Sequence, residues 1–493
     1  MVDKVTVTAP GGPPLDQGEL LPRRHSEKSH ARDGDTRHSL GRGCPCRADR
    51  GDLGRSRGQA TVESSAAHYR YRHSARDDVT VIYRSAFVMR AKRKGLLVVS
   101  GQLRWSRAHD QCTTLVRADE AGSEPGLDVL VSSDPGSAVL EEWDRLVDTV
   151  PESDVAQLSA WARLRGDAGF RPLYLLARLD DQLVGGALVL ERRVPFVGRV
   201  GYVSGGPLVS PATARDRLVD PLVSAMGALG RKRLRAVFVQ PPVDGNDVAV
   251  GLREQGFRQS KAGIAPGASI RIDLHQTADK LRHGMSKANR RRARNWSERG
   301  VTVRLGSLDD AVLVADLLAG TAEYQQFEPL SLEYIQRLYR ELDAGGHVIV
   351  FIAEIDGEPA AALLCTRCDG SVRQRISGMT RTENARTAGV SAATVWHAML
   401  WAKSHGYDTY DFGGLRVDAA RLLLAGDREA AAYLTGSEQF KMSFGGDVFL
   451  YPGQVELISS RVLRLAYDIS RRTRVGRRII DIGKRVLRGG RGR

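Results

Sequence analysis

The sequence predicts an α/β protein built from two tandem, similarly folded units, with a low-complexity extension before them and a basic tail after them. The segments 174–191 and 350–367 share a pattern of strand, acidic turn and strand. Further matching elements follow each segment in the same order, at an offset of roughly 175 residues. A chain of 493 residues is long enough for several domains with substantial cores. The repeat therefore favours a tandem arrangement over one large sheet.

Residues 1–125 differ in composition from the rest of the chain. The stretch 23–59 is rich in Arg, Gly, His and Ser and has almost no apolar periodicity. Such a segment cannot bury enough surface to offset its ordering entropy. We therefore expect a disordered extension or a start codon assigned too early, and a basic RNA-binding arm is the functional alternative.

The globular part is expected to divide at two boundaries. Apolar patterning begins near residue 127 with a strand, turn residues and a helix. We expect the first unit to span 126–275 and the second unit to span 276–455, followed by a tail at 456–493.

The net charge of +15 resides at the two ends of the chain. Roughly +7 lies in residues 1–125 and roughly +10 in the last 33 residues, so the middle is near neutral. The five cysteines are scattered and odd in number, which favours a reducing compartment over a disulfide framework. With no signal peptide and no apolar run of about 18 residues, the chain is expected to remain in the cytoplasm.

No metal site is expected from the sequence. Cys365 and Cys368 have the spacing of a zinc knuckle, but such a site needs a second pair of ligands. Asp411-Phe412-Gly413 spells the magnesium-binding tripeptide of protein kinases. A kinase also needs a Gly-rich loop, a strand lysine and an H-R-D loop, and the sequence has none of these.

The second unit carries the first family resemblance. The pattern of residues 386–412 predicts a turn, a helix that ends at Gly406, and a strand. This pattern resembles the central helix and following strand of the N-acetyltransferase (GNAT) superfold, an α+β fold. Arg386-Thr-Ala-Gly389-Val-Ser391 nearly matches the acyl-CoA loop of that fold, although the first unit has no counterpart.

Three elements in a fixed order carry a more specific resemblance. They are the basic helix in 285–303, YDFGG at 410–414 and GSEQFKMSFGG at 436–446. Together they resemble the FemABX family, the peptidoglycan bridge-forming aminoacyltransferases, which contain two GNAT-like units. The resemblance covers about residues 127–460. It implies transfer of an amino acid of glycine, alanine or serine type from aminoacyl-tRNA to an amine of the stem peptide of a peptidoglycan precursor.

The resemblance also implies a catalytic residue. The lysine of the family's Phe-Lys pair carries over to Lys441, which would stabilise the negative charge that develops on the ester carbonyl oxygen. Phe440 would exclude water from the site. Asp411, Gly413 and Gly414 would contact substrate, since paired glycines let the backbone approach closely. Aminoacyl-tRNA is the expected co-substrate, and no other cofactor is expected.

The acceptor of this family carries phosphate, which Arg and Lys side chains bind. The expected phosphate- or substrate-binding residues are Lys287, Arg290, Arg294, Arg163 and Arg165. On a helix, positions 290 and 294 share one side, whereas Arg292 points elsewhere. The alternatives for the basic helix are a solvated face or contact with tRNA.

The tail at 456–493 combines apolar residues with many arginines. A basic amphipathic segment can lie on an anionic membrane. This predicts peripheral contact with the inner membrane face, which would suit a lipid-linked acceptor. Contact with tRNA and a merely solubilising tail are the alternatives.

Two other functions fit parts of the sequence. A GNAT N-acyltransferase acting on an envelope or small-molecule amine would use acyl-CoA at Arg386 and Gly389. A non-enzymatic RNA-binding protein would use the two basic ends of the chain.

Overall fold

The computed structural model describes residues 113–117, 126–427 and 429–474, together with residues 476 and 478. Most of the predicted extension and the end of the predicted tail lie outside these residues. The strands are β1 (Thr113–Arg117), β2 (Leu127–Ser132), β3 (Arg171–Leu179), β4 (Gln182–Val194), β5 (Gly198–Ser204), β6 (Leu208–Val209), β7 (Ala236–Gln240), β8 (Arg258–Gln259), β9 (Ala268–Asp273), β10 (Val301–Leu305), β11 (Val348–Ile355), β12 (Glu358–Cys368), β13 (Ser371–Met379), β14 (Thr409–Asp411), β15 (Asp447–Leu450) and β16 (Val455–Ile458).

Helices connect these strands and cover the faces of both sheets. The α-helices are α1 (Ser137–Thr149), α2 (Ser159–Gly166), α3 (Arg215–Lys232), α4 (Asn246–Glu254), α5 (Ala278–Gly284), α6 (Lys287–Asn295), α7 (Ala311–Gln325), α8 (Leu332–Asp343), α9 (Glu383–Ala388), α10 (Val390–Ser404), α11 (Val417–Leu424), α12 (Gly436–Met442) and α13 (Arg461–Arg472). Short 3₁₀ turns lie at Val155–Gln157, Ser297–Arg299, Leu308–Asp310 and Ala430–Tyr433. Within the part of the chain that the structure describes, no helix is long and apolar enough to cross a membrane.

The local sequence explains why these elements form. Helix α8, for example, begins at the cap residue Ser331, whose side chain accepts a hydrogen bond from the amide of Tyr334. Its residues Ile335, Leu338 and Leu342 recur at helical spacing and are buried. Strand β11 instead carries a continuous apolar run that is buried on both faces.

The two sheets have matching topology. The first runs β1-β2-β3-β4-β5-β7-β16-β8, and the second runs β10-β11-β12-β13-β14-β9-β15. Each sheet has one parallel pair, β5 with β7 and β13 with β14, joined through helices α3 and α10 respectively. The repeated segments predicted from the sequence are β3–β4 and β11–β12. The prediction of two tandem, similarly folded units is therefore confirmed.

The two units exchange one strand each. Strand β9 pairs with β14 and β15 in the second sheet, although it precedes the predicted boundary at 275/276. Strand β16 pairs with β7 and β8 in the first sheet, although it comes after the whole second unit. Strand β1 pairs with β2, so the first sheet also begins inside the predicted extension. The sheets therefore depart from the predicted segment boundaries at three places.

A shared hydrophobic cluster joins the two units. It includes Trp143 and Leu158 of the first unit together with Leu317, Leu338 and Val350 of the second. Burial of apolar surface on this scale stabilises the pairing of the units. The polar groups described next lie at the ends of strands along this junction.

Candidate active site

Asp411 lies at the end of β14, in the middle of the second sheet. Strand β14 pairs in parallel with β13 up to Arg373 and antiparallel with β9. The chain then leaves the sheet at Gly413, so the two parallel strands separate at this point. Asp411 is 1% exposed, and a buried carboxylate requires several partners.

Four groups donate hydrogen bonds to the Asp411 carboxylate. They are the hydroxyls of Ser269 and Tyr451, the amide of Gly413 at 2.7 Å and Nε of Arg373 at 3.2 Å. Burial alone would raise the pKa of Asp411, but Arg373 and these donors hold it below the ordinary value. The carboxylate is therefore charged and fully engaged within the protein.

A chain of ion pairs continues from Asp411 into the first unit. Arg373 also donates to Asp154, and Arg375 donates to both carboxylate oxygens of Asp154 at 2.7 and 2.9 Å. Burial opposes ionisation of Asp154, yet the two guanidinium groups lower its pKa to about 2. The same network that fixes Asp411 therefore also ties the two units together.

Gly413 and Gly414 form the turn that follows Asp411. Both have positive φ, 66° and 103°, which disfavours residues with a side chain. A Cβ at Gly413 would stand 2.3 Å from the carbonyl oxygen of Gln374. The turn therefore requires glycine at 413 both for its backbone conformation and for its close approach to β13.

Lys441 lies on α12 and points to this turn. Its Nζ donates to the carbonyl oxygens of Gly414 at 2.7 Å and Gly413 at 3.2 Å. Burial lowers the pKa of Lys441 from the ordinary 10.5, while Asp411 and Glu438 oppose the change. The structure thus brings together the Phe-Lys and YDFGG motifs, which are about 30 residues apart in sequence.

Helix α12 is fixed by its own first turn. Thr435 and Glu438 form a reciprocal capping box. Glu438 also accepts hydrogen bonds from Nε and the backbone amide of Arg416, each at 3.0 Å. Burial would raise the pKa of Glu438, but these donors lower it to about 2. Because Arg416 lies two residues after Gly414, this contact fixes the position of Lys441 relative to the glycine turn.

Phe440 forms part of an aromatic cluster beside the lysine. Its ring lies 5.1 Å from that of Phe444, which lies 5.4 Å from that of Phe412. Phe444 and Phe412 are buried, whereas Phe440 is partly exposed. Phe440 is thus placed to form one wall of the site, consistent with the role expected from the sequence.

The basic helix α6 is joined to the end of α12. The Asn289 side chain donates to the Ser443 hydroxyl at 2.6 Å, and the Ser286 amide donates to the Ser443 carbonyl at 2.8 Å. Lys287 and Arg294 are exposed, and Arg290 donates to the carbonyl oxygen of His283 at 3.1 Å. Among the described residues, no carboxylate pairs with any of these three cations. They therefore remain candidates for binding an anionic substrate.

Arg292 does point elsewhere, as the helical spacing predicts. Its side chain lies against Gly389, where an added Cβ would stand 2.4 Å from the Arg292 Cδ. Gly389 caps the start of α10 in the left-handed conformation. Arg292 therefore covers the turn that resembles an acyl-CoA loop.

Arg163 and Arg165 are placed differently from the basic helix. Arg163 donates to Glu341 at 2.7 Å and to the Ser159 hydroxyl at 3.1 Å, so it joins α2 to α8. Arg165 lies over the ring of Phe170. The contacts of Arg163 with Glu341 and Ser159 join helices, and substrate binding by Arg163 and Arg165 stays a prediction.

A cavity of about 630 Å³ opens beside the glycine turn. Gly414, Arg416 and Glu438 line it on one side, and the segment 263–266 lines it on the other. A second, smaller cavity between the units shares Ala265 and Pro266 with it and is lined by Asp154, Arg373 and Tyr451. Ala265 and Pro266 thus border both cavities.

The two cysteines with knuckle spacing do not form one ligand pair. Cys365 packs in a hydrophobic cluster on one face of β12. Cys368 packs in a different hydrophobic cluster, on the opposite face of the strand. Cys368 instead lies near Asp148 and His347, with donor atoms of all three within 4.8 Å of one another. Nδ1 of His347 lies 3.1 Å from the carbonyl oxygen of Arg367, which leaves Nε2 facing the group. Among the described residues, this group could hold a metal ion.

Acid should destabilise the protein through Asp154. The folded-state pKa of about 2 lies below the unfolded value of 3.8, so the charged form stabilises the fold above about pH 4. We expect a loss on the order of 2 kcal/mol as the pH falls from 4 to 2. Urea unfolding across this range checks the result, and an Asp154→Asn variant should show a smaller pH dependence. Equal dependence in both proteins would contradict this role.

Comparison with known proteins supports the fold. Residues 284–449 match the family described as acetyltransferase (GNAT) domain. The lipid II:glycine glycyltransferase of Staphylococcus saprophyticus is 26% identical over 227 residues, 44% of this chain and 54% of the relative. The enzyme of the same name from Staphylococcus aureus strain MRSA252 is 26% identical over 229 residues, with the same shares. This chain spans about half the length of the curated relatives it matches.

The chain is similar to the FemABX proteins in sequence and fold. A crystal structure of FemX has the same fold, with a TM-score of 0.57 at 19% identity, over 66% of this chain and 98% of that one. The FemABX resemblance inferred from three short motifs is therefore confirmed. The roles assigned to individual residues remain predictions.

Several residues of the site have no motif of their own. Tyr451, Ser269 and Asp154 were not identified from the sequence, although all three belong to the Asp411 network. Arg373 and Arg375 did offer a signal. They alternate along a central strand, so both point to one face and require a buried carboxylate there.

Proposed function

We propose that this protein transfers an amino acid from aminoacyl-tRNA to an amine of the stem peptide of a peptidoglycan precursor. The transferred amino acid would be of the glycine, alanine or serine type. The names of the curated relatives support lipid II chemistry for those proteins, and the geometry around Lys441 supports acyl transfer here. The reaction would take place in the cytoplasm, at the inner membrane face.

The observation that carries the proposal is the placement of the Lys441 ammonium. An ammonium group has three donors, and two of them bind the carbonyl oxygens of Gly413 and Gly414. The third has no partner among the described residues. A partly buried cation with one fixed, unused N–H is suited to binding an oxyanion.

The proposed reaction needs little other chemistry from the protein. The acceptor amine attacks the ester carbonyl carbon, and negative charge develops on the carbonyl oxygen beside Lys441. The bond to the tRNA ribose oxygen then breaks, and that hydroxyl leaves with a proton. The amine loses its proton to water or to the leaving ribose oxygen, so no strong protein base is required. Phe440 would limit access of water, which would otherwise hydrolyse the ester.

Asp411 has a positioning role in this account. Its carboxylate is saturated by Ser269, Tyr451, Arg373 and Gly413, so it has little remaining capacity to bind substrate. It fixes the glycine turn that orients Lys441. We therefore replace the expected substrate contact of Asp411 with this indirect role.

The exposed cations of α6 would bind phosphate. Lys287 and Arg294 lie on the helix that is joined to the end of α12, and they are exposed to solvent. Phosphates of the acceptor and of tRNA are both compatible ligands. The α6 helix would thus hold an anionic substrate near Lys441.

Arg292 argues against the acyl-CoA alternative. In that alternative, exposed amides at the start of α10 would bind a pyrophosphate. Here the Arg292 side chain lies on Gly389, at the position where the cofactor would approach. The aminoacyl-tRNA donor is therefore favoured for this site.

A two-donor experiment tests the proposal. The full chain is incubated with lipid-linked precursor, aminoacyl-tRNA carrying one isotope and acetyl-CoA carrying another. We expect label from the tRNA on the stem peptide and its loss after RNase treatment. Label from acetyl-CoA alone would overturn the proposal, and RNA binding with neither label would favour the non-enzymatic alternative.

A further inference from the structure

Two exposed apolar features lie outside the site described above. On α13, Val462, Leu465 and Ile469 are 79%, 62% and 51% exposed. At the tip of the β4–β5 hairpin, Phe196 is fully exposed with φ of 62°. Single exposed apolar residues are ordinary, but several large ones on one surface mark an interaction site.

The opposite face of α13 is anchored to the first unit. Arg464 donates to the buried Glu456 at 2.8 Å, and the ring of Tyr467 lies 6.3 Å from that of Phe238. Arg471 donates to the Tyr467 hydroxyl at 3.2 Å. The helix is therefore docked through its polar and aromatic face, with its aliphatic residues directed to solvent.

The hairpin tip and α13 belong to one surface. The Arg235 amide donates to the Arg199 carbonyl of the hairpin at 2.8 Å, and the Arg235 carbonyl accepts from Ser459, just before α13, at 3.0 Å. Val197 of the tip and Tyr467 of α13 pack against the same hydrophobic cluster. Arg235 thus connects the hairpin that carries Phe196 to the start of α13. We call Phe196, Val462, Leu465 and Ile469 the apolar surface.

Arginines surround the apolar surface. Arg193, Arg235, Arg461 and Arg472 are all exposed. In the described ranges, none of these four guanidinium groups pairs with a carboxylate. Arg461 and Arg472 flank the aliphatic residues on one side of the helix, given the 100° turn per residue. Apolar residues bordered by unpaired cations complement an anionic lipid headgroup layer.

We propose that the apolar surface docks the protein on an anionic phospholipid bilayer. Phe196 and the aliphatic side chains of α13 enter the headgroup–acyl boundary, and the arginines contact lipid phosphates. The proposal rests on the proposed function only for the purpose of docking, which would bring the protein to a lipid-linked acceptor. The binding itself depends on the apolar surface alone.

Vesicle flotation tests the proposal with the full chain. The vesicles contain phosphatidylglycerol and phosphatidylcholine, or phosphatidylcholine alone. We expect binding to the anionic vesicles that weakens several-fold when salt is raised from about 0.1 to about 0.5 M, because salt screens the arginines. Equal binding to both vesicle types at both salt concentrations would contradict the charge contribution.

Matched variants distinguish vesicle binding through the apolar surface from nonspecific hydrophobic binding. Phe196→Ser combined with Leu465→Ser should weaken binding at least about tenfold, since both side chains leave the bilayer boundary. Arg461→Gln combined with Arg472→Gln should weaken binding to anionic vesicles only. Leu305→Ser combined with Val312→Ser, at exposed apolar positions of the second unit, should leave binding unchanged. An equal loss in this control would overturn the proposal.

Two other occupants of the apolar surface give distinct outcomes. If a second copy covers it, the wild type is a dimer by light scattering, the Phe196/Leu465 variant is a monomer, and neither binds vesicles. If residues 479–493 cover it, vesicle binding appears only after their removal. Either result overturns the proposal. Transfer to a soluble, lipid-free acceptor should be unchanged in the Phe196/Leu465 variant, so failure of docking is distinguishable from failure of the proposed function.

Discussion

Replacement of Lys441 by Met should lower the rate of aminoacyl transfer at saturating substrate by about 10²–10³-fold. The change keeps the length of the side chain but removes the ammonium that the carbonyls of Gly413 and Gly414 hold. Single-turnover transfer from labelled aminoacyl-tRNA measures the effect. Lys441→Arg should retain more of the rate, because it restores a cation at the same position.

Lys232 offers a matched control for this substitution. It is an exposed lysine at the end of α3 in the first unit. Lys232→Met should leave the transfer rate and the thermal midpoint close to wild type. A Lys441→Met protein that folds and transfers at near-wild-type rate would refute the assigned role.

Replacement of Asp411 by Ala should produce the largest loss of stability. Among the described residues, removal of this carboxylate leaves Asp154 as the one carboxylate that pairs with Arg373, and Asp154 is shared with Arg375. Removing one partner of a buried pair costs about 3–5 kcal/mol. Ser269 and Tyr451 also lose their acceptor. Urea and thermal unfolding measure the change in stability.

Asp279 is the comparison residue for Asp411. It pairs with Arg282 on the exposed surface of α5, where an ion pair contributes at most about 1 kcal/mol. Asp279→Ala should therefore have little effect on stability. If the two alanine variants unfold at the same urea concentration, Asp411 does not hold the junction.

The sequence predicted the repeat and the motifs because both depend on local patterns. Strands β11 and β12 carry apolar runs separated by an acidic turn, and β3 and β4 repeat that pattern. The convergence of Lys441 on the glycine turn followed from a family resemblance that joins distant segments. Neither prediction required knowledge of which strands pair.

The exchange of β9 and β16 could not be predicted in the same way. Side-chain alternation specifies which face of a strand is buried but does not name its partner strand. The position of Tyr451 depends on β15, which ends at Leu450 beside β9. Arg163 likewise binds Glu341, 178 residues away, a contact that only the packing of α2 on α8 creates.

The pH dependence of the transfer rate tests the central claim, that a charged Lys441 acts on the reacting ester. The measured quantity is the ratio of the Lys441→Arg rate to the wild-type rate, in which titration of the acceptor amine and ester hydrolysis cancel. Because burial lowers the pKa of Lys441 below 10.5, the wild type should lose its cation at lower pH than the arginine variant. We predict that the ratio rises with pH, beginning below pH 10.5. A ratio that stays constant up to pH 10.5 would contradict the role of the Lys441 charge.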